Sequence, residues 1–134
     1  MTDILAPGLK VVICGADEGP KLFEMLHRVG LTPRQVEKPE ELLEFRIGLT
    51  DIVKQKGEKG ANSESSKELR RKIRDCAPGT LVFNGKQPAK DYLDMPTSSF
   101  GPQKYTIGAT KIFVCPSTRT SSDPRWWDLM AKLA

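Results

Sequence analysis

Leu9-Lys10-Val11-Val12-Ile13-Cys14-Gly15-Ala16-Asp17-Glu18-Gly19-Pro20 is a short apolar run that breaks on glycine and leads into a helix opened by proline. Val11 to Cys14 shows no polar alternation, the pattern of a strand covered on both faces, as in a parallel sheet flanked by helices. Gly15 and Gly19 permit a tight turn, and Pro20 suits a first helical position. A strand-turn-helix of this kind puts its turn at the carboxyl edge of the sheet, where open α/β folds keep their sites. The turn carries Asp17 and Glu18. Two carboxylates at a helix entrance repel a phosphate, which excludes a Walker-type or dinucleotide-binding loop. Two roles stay open to them. They can complement the positive end of the helix, or one can be held at the sheet edge to orient water or stabilise a developing cation.

Outward from this stretch, two further apolar runs repeat the pattern. Thr80-Leu81-Val82-Phe83-Asn84 breaks at Gly85, and Lys111 to Cys115 breaks at Pro116. Helical spacing of Leu22, Phe23, Leu26 and Val29 predicts a helix closed by Gly30, and Pro39 opens a second helix that ends near Gly48. Ser65 with Glu68 three residues on reads as a capping box ahead of Leu69, Ile73 and Cys76. Lys86 to Leu93 reads as a short helix and Met95 to Gln103 as a loop. Lys104 to Ile107 forms a hairpin-like pair with the last strand, and Pro124 opens a terminal helix. Three apolar strands alternating with helices predict an α/β fold, with a short, mostly parallel sheet between helical layers. The strand ends at Gly15 to Gly19, Asn84 to Lys86 and Pro116 to Ser122 then converge on one edge, the candidate site.

The chain of 134 residues is expected to form a single domain over 1–134, and its 38% hydrophobic and 28% charged content is that of a soluble globular protein. No run approaches membrane-spanning length, and the first residues lack the basic and apolar regions of a signal peptide, so a cytoplasmic protein is expected. Cys14, Cys76 and Cys115 are odd in number and far apart, and His27 is the only histidine. Neither a disulfide framework nor a zinc site is indicated. Cys14 and Cys115 each end a strand and are expected to face one another across the sheet edge. A Cys-His nucleophilic pair using His27 is disfavoured by its mid-helix position beside Leu26. The net charge is +4, but from Lys54 to Arg74 eight basic residues stand against three acids, a local +5, which hints at an anionic partner.

The opening Asp3-Ile4-Leu5-Ala6-Pro7-Gly8-Leu9-Lys10-Val11-Val12, the turn at Gly15 to Gly19, Phe83-Asn84-Gly85-Lys86, and Tyr105-Thr106-Ile107-Gly108 before Val114-Cys115-Pro116-Ser117-Thr118 stand in one order. Ser66-Lys67-Glu68-Leu69 and Arg125-Trp126-Trp127-Asp128 extend the series. Together these segments resemble a mismatch-specific uracil/thymine-DNA glycosylase, a branch of the uracil-DNA glycosylase superfamily, through nearly the whole chain. The resemblance implies a three-layer αβα sandwich that flips uracil or a mismatched thymine out of duplex DNA and hydrolyses its glycosidic bond with no metal or other cofactor. It implies DNA, uracil-containing or mismatched, as the partner of a monomer, with no membrane.

The departures from the family are informative. Its first motif reads G-I-N-P-G, with the asparagine positioning the attacking water; here Asp17 stands in that place, as aspartate does in other branches of the superfamily. The family follows this motif with a loop carrying an aromatic that stacks on the flipped base, whereas this chain passes directly from Gly19 into the helix at Leu22-Phe23. Its second motif, N-P-S-G or similar, is replaced by Ser117-Thr118-Arg119-Thr120-Ser121. By this resemblance Asp17 is the catalytic candidate, and Gly15, Ala16, Glu18, Asn84 and Ser117 form the base pocket. Lys86, Thr118, Arg119, Thr120 and Ser121 are expected to contact DNA, and so, from the concentration of positive charge, are Lys54 and Lys56. Arg119 is suited either to filling the gap left by the flipped base or to gripping a phosphate. Plainer roles are open to Lys86, as a snorkelling side chain, and to Asn84, as a strand-end cap. The expected function is base excision; the alternative is a degenerate member that binds DNA or a partner without cleaving.

Overall fold

The computed structural model describes residues 3–15, 19–53, 56–58, 60, 62–93 and 99–134. Its centre is a five-stranded sheet: β1 (Val11–Cys14), β2 (Ile47–Thr50), β3 (Thr80–Asn84), β4 (Gly101–Ile107) and β5 (Thr110–Cys115), in the order β2-β1-β3-β5-β4. The first four neighbours in that order run parallel, with Val11 opposite both Ile47 and Thr80, and Thr80 opposite Lys111. β4 closes the sheet antiparallel to β5.

The unbroken apolar runs explain the layering. Successive side chains of a strand point to opposite faces. Val11, Ile13, Ile47, Leu49, Val82 and Phe113 therefore share one core cluster, while Val12, Cys14, Leu81, Phe83, Ile112 and Val114 share another. Helix α1 (Pro20–Arg28) covers the first face with Leu22, Phe23, Met25 and Leu26, joined by α4 (Arg125–Leu133) through Trp127 and Met130. Helix α2 (Glu64–Cys76), through Leu69 and Ile73, and α3 (Lys86–Leu93), through Ala89 and Tyr92, cover the second. This is the αβα sandwich expected from the strand and helix pattern. β4 alone alternates, with Pro102, Lys104 and Thr106 exposed. Proline and lysine on an outer strand oppose pairing with another chain. No helix among the described residues is long and apolar enough to cross a membrane.

Four local expectations are corrected. The second predicted helix is a 3-10 helix over Pro39–Phe45, ended by Arg46 in a left-handed conformation at φ 61°, and Gly48 lies within β2. That glycine answers to a close approach: a Cβ there would sit 2.6 Å from Leu9 Cδ1 and 2.7 Å from the Ile4 carbonyl oxygen. Ile4 and Leu49 exchange backbone hydrogen bonds at 2.8 and 2.9 Å, so the amino-terminal segment packs across β2. The loop expected to run on to Gln103 gives way to β4 at Gly101, and Met95 lies outside the described residues. α2 is capped by Ser63, whose Oγ accepts the Ser66 N–H at 3.3 Å, while Ser65 lies inside the helix with its hydroxyl on Glu58. Cys14 and Cys115 sit in opposite core clusters with β3 between their strands, so they do not face one another. His27, on α1, is across the sheet from Cys14 and directs Nδ1 to the Thr32 carbonyl at 3.2 Å, which removes the Cys-His pair.

Candidate active site at the carboxyl edge

β1 leads through α1 to β2 on one side, whereas β3 leads through α3 to β4 and β5 on the other. The connections diverge at the β1/β3 pair, and such a switch point opens a crevice at the carboxyl ends of the two strands. Gly15 and Asn84 stand at its lip. Gly15 has φ 149°, its N–H donates to the Thr50 carbonyl at 3.2 Å, and a Cβ on it would lie 2.8 Å from Asn84 Cβ. Only glycine accepts both this backbone conformation and this proximity.

One step along, Gly85 at φ 108° donates its N–H to the Cys115 carbonyl at 2.8 Å, and a Cβ on it would meet Ser117 Cβ at 3.1 Å. This brings the segment after β5 against the end of β3. There Asn84, 5% exposed, holds Thr118, 4% exposed: Oδ1 accepts the Thr118 N–H at 3.0 Å and Nδ2 donates to Thr118 Oγ1 at 3.2 Å. The loop is fastened from two further sides. Trp127 Nε1 donates to the Pro116 carbonyl at 3.0 Å, and from α1 Lys21 Nζ and Arg28 Nη1 donate to the Arg119 and Ser122 carbonyls, each at 3.3 Å.

The result is a cleft of about 380 Å³, within the size range of small-ligand sites, lined by Gly15, Asn84, Gly85, Lys86, Ser117 and Arg119. Of the three segments expected to form the site, Gly15, Asn84 to Lys86 and the loop residues Ser117 and Arg119 come together here. Thr120 and Ser121 stand on the loop's outer sides, facing two further hollows, one against Lys21 and Arg28 of α1 and one against Phe100 and Trp126. Lys56 is exposed in the connection from β2 to α2 and does not line the cleft. Ala16, Asp17, Glu18 and Lys54 lie outside the described residues.

Two carboxylates in the cleft wall escaped the sequence reading. Asp51 directly follows β2 and accepts the Ile52 N–H at 2.8 Å, and Asp91 of α3 accepts from Gln87 Nε2 at 2.8 Å. Asp51 becomes predictable once Ile47–Thr50 is read as a strand, because the residue after a parallel strand must lie on the site edge. Beneath them Cys14 is fully buried. Burial drives its thiol well above the usual range, and Asp51 pushes it the same way, so it stays a neutral thiol and no nucleophile. No three His, Cys, Asp or Glu side chains among the described residues are grouped so as to hold a metal ion.

The described cations of the basic segment do not form one field. Arg71 is paired with Glu68 and Asp75, Lys72 with Asp3 at 2.7 Å, and Arg70 lies over the Tyr92 ring. Arg74, in the last turn of α2, leads into the start of β3 and so lies toward the edge opposite the cleft. Among the described residues the cations lining the cleft are instead Lys86 and Arg119.

An open α/β sandwich with a polar cleft at its switch point, walled by a loop clasped to the neighbouring strand, is a small-molecule or nucleotide-binding architecture. Residues 13–128 match the family model of the uracil DNA glycosylase superfamily. The chain belongs to that superfamily, whose members are DNA glycosylases and act on DNA.

Proposed function

We propose that this protein hydrolyses the N-glycosidic bond of uracil, or of a mismatched base, flipped out of DNA. The reading rests on one observation, the cleft in which Gly15, Asn84 to Lys86 and the loop residues Ser117 and Arg119 meet at the switch point. A base extruded from the stack would enter the cleft, with Lys86 and Arg119 beside the phosphates that flank it. Asp17, at the place of the family's water-positioning asparagine, would orient water toward the sugar C1′ and face the positive charge developing there. Water adds to C1′, the C1′–N bond breaks and the base leaves with its electron pair, taking up a proton. No cofactor enters this scheme, and the protein would act as a cytoplasmic monomer.

A second reading has its own support. α1 begins at Pro20, immediately after Gly19, which leaves no room for a base-covering loop between turn and helix. A member of this kind would bind DNA or a partner without cleaving. Single-turnover incubation with uracil-containing single- and double-stranded DNA, scored for abasic product and separately for binding, tests both. Abasic product supports hydrolysis; binding without product supports the second reading; absence of both overturns hydrolysis and DNA binding together.

A further inference from the structure

Beside the cleft, and sharing Gly85, Lys86 and Ser117 with it, lies a hollow of about 430 Å³ floored by aromatic rings. Phe100 is half-buried at its rim. The Trp126 ring lies 6.5 Å from the Phe100 ring at 49°, and Phe113 braces Trp126 from the core at 6.4 Å and 62°. Gly101, at φ 103°, makes this possible: a Cβ there would lie 2.9 Å from Trp126 Cζ3. Phe100 is thus fixed by the indole and the sheet behind it. Above its ring stands Lys86 Nζ, 4.6 Å from the centroid, on a side chain exposed to solvent.

An ammonium over an exposed ring is held by a factor of only about two to five. A nucleobase stacked on a protein ring contributes roughly five- to hundredfold in affinity. A base therefore displaces the lysine from the ring, and the lysine, released, is placed to meet the phosphate that joins this base to the one in the cleft. We infer that Phe100 is a stacking platform for the unpaired base next to the one held in the cleft, which makes single-stranded or locally melted DNA the substrate class. The inference rests on the DNA glycosylase reading. A base still paired in duplex cannot lay its face on Phe100, so the platform discriminates against intact duplex on that side.

The test uses the full chain and an oligonucleotide carrying one 2′-fluoro-deoxyuridine, which resists hydrolysis, with an abasic nucleotide placed in turn on its 5′ and 3′ sides. For the wild type, removing the base on one side only should weaken single-strand binding about tenfold. Phe100→Leu keeps apolar volume without a stacking face; it should bind the intact strand about tenfold more weakly and no longer sense the missing base. Phe100→Trp should bind as the wild type does, and thermal unfolding of each variant reports its folding. The wild-type scan needs no variant and decides the matter even if Phe100→Leu folds poorly. Indifference of the wild type to both abasic positions, or a folded Phe100→Leu still sensitive to one, overturns the platform while leaving DNA binding intact. Failure of the wild type to bind any strand overturns the DNA reading and the platform with it.

Discussion

The Asn84 side chain grips Thr118 at two points, with Oδ1 on the backbone N–H at 3.0 Å and Nδ2 on the hydroxyl at 3.2 Å, and so locks the Pro116 to Ser122 loop to the end of β3. Both residues are buried, so removing the amide leaves the Thr118 N–H without this acceptor. Asn84→Ala is expected to destabilise the protein by about 1–3 kcal/mol. Asn84→Asp keeps an acceptor for the N–H, and the Thr118 hydroxyl can turn to donate, but a buried carboxylate near Asp51 and Asp91 is costly, so stability should fall here too. Its new charge should also weaken DNA binding. Denaturant midpoints and binding isotherms of the two variants separate these effects; equal stability of Asn84→Ala and wild type would show that the clasp contributes nothing.

Gly15 should be far less replaceable than Gly30. Both have positive φ, 149° and 83°, but a Cβ at Gly30 meets nothing within 4 Å while one at Gly15 would lie 2.8 Å from Asn84 Cβ. Gly30→Ala is expected to cost about 1 kcal/mol from backbone strain alone, and Gly15→Ala at least about 2 kcal/mol because β1 and β3 must also part. Thermal unfolding of the pair checks this ordering.

Asp17 carries the sharpest chemical expectation. If hydrolysis occurs, Asp17→Ala should lower single-turnover cleavage by about 10²-fold or more, the usual range for a positioned acid–base group. DNA affinity should hold or rise, since a negative charge near the phosphates has gone. Asp17→Asn, carrying the family's own residue, should retain measurable cleavage. Equal rates for wild type and Asp17→Ala would assign the water-positioning role to another residue, with Asp51 the next to test.

Salt dependence should report which cations meet DNA. Each phosphate contact contributes about −0.9 to the slope of log K against log salt. Lys86→Gln and Arg119→Gln are each expected to make the slope shallower by about that amount. Arg71→Gln should leave it unchanged, because that guanidinium is already paired with Glu68 and Asp75.

Stability should fall in alkali. Burial raises the thiol pKa of Cys14 and Cys115 and pushes the Tyr105 hydroxyl up to about 12. A raised folded-state value means that the contribution is complete below the unfolded value, 9.0 for cysteine, and is lost as pH climbs toward the folded one. Denaturant midpoints should therefore decline above about pH 9, less so in Cys14→Ala/Cys115→Ala. Iodoacetamide should label neither thiol in the native protein; rapid native labelling of Cys14 would contradict its burial.

Local chemistry made much of the molecule legible in its sequence. The runs Val11 to Cys14, Thr80 to Asn84 and Lys111 to Cys115 determine three parallel strands, because residues that are apolar on both faces must be covered on both. The glycines and prolines that end those runs determine where the chain turns, and three such turns after parallel strands can only share one edge. Tertiary structure decided what depends on partners distant in the chain. Gly48 punctuates a helix when read locally, but it answers to Leu9 and Ile4 packing across β2. The capping role goes to Ser63, whose backbone is extended and whose Oγ takes the Ser66 N–H, because Ser65 already lies inside the helix, with its hydroxyl on Glu58. Within the +5 segment Lys72 is drawn to Asp3, Arg71 to Asp75 and Arg70 to the Tyr92 ring, since charge counted along a chain says nothing of which groups fold against it. Asn84 could be placed at the site from sequence, yet its hold on Thr118 could not, because a hydrogen bond across 34 residues leaves no periodic or local trace.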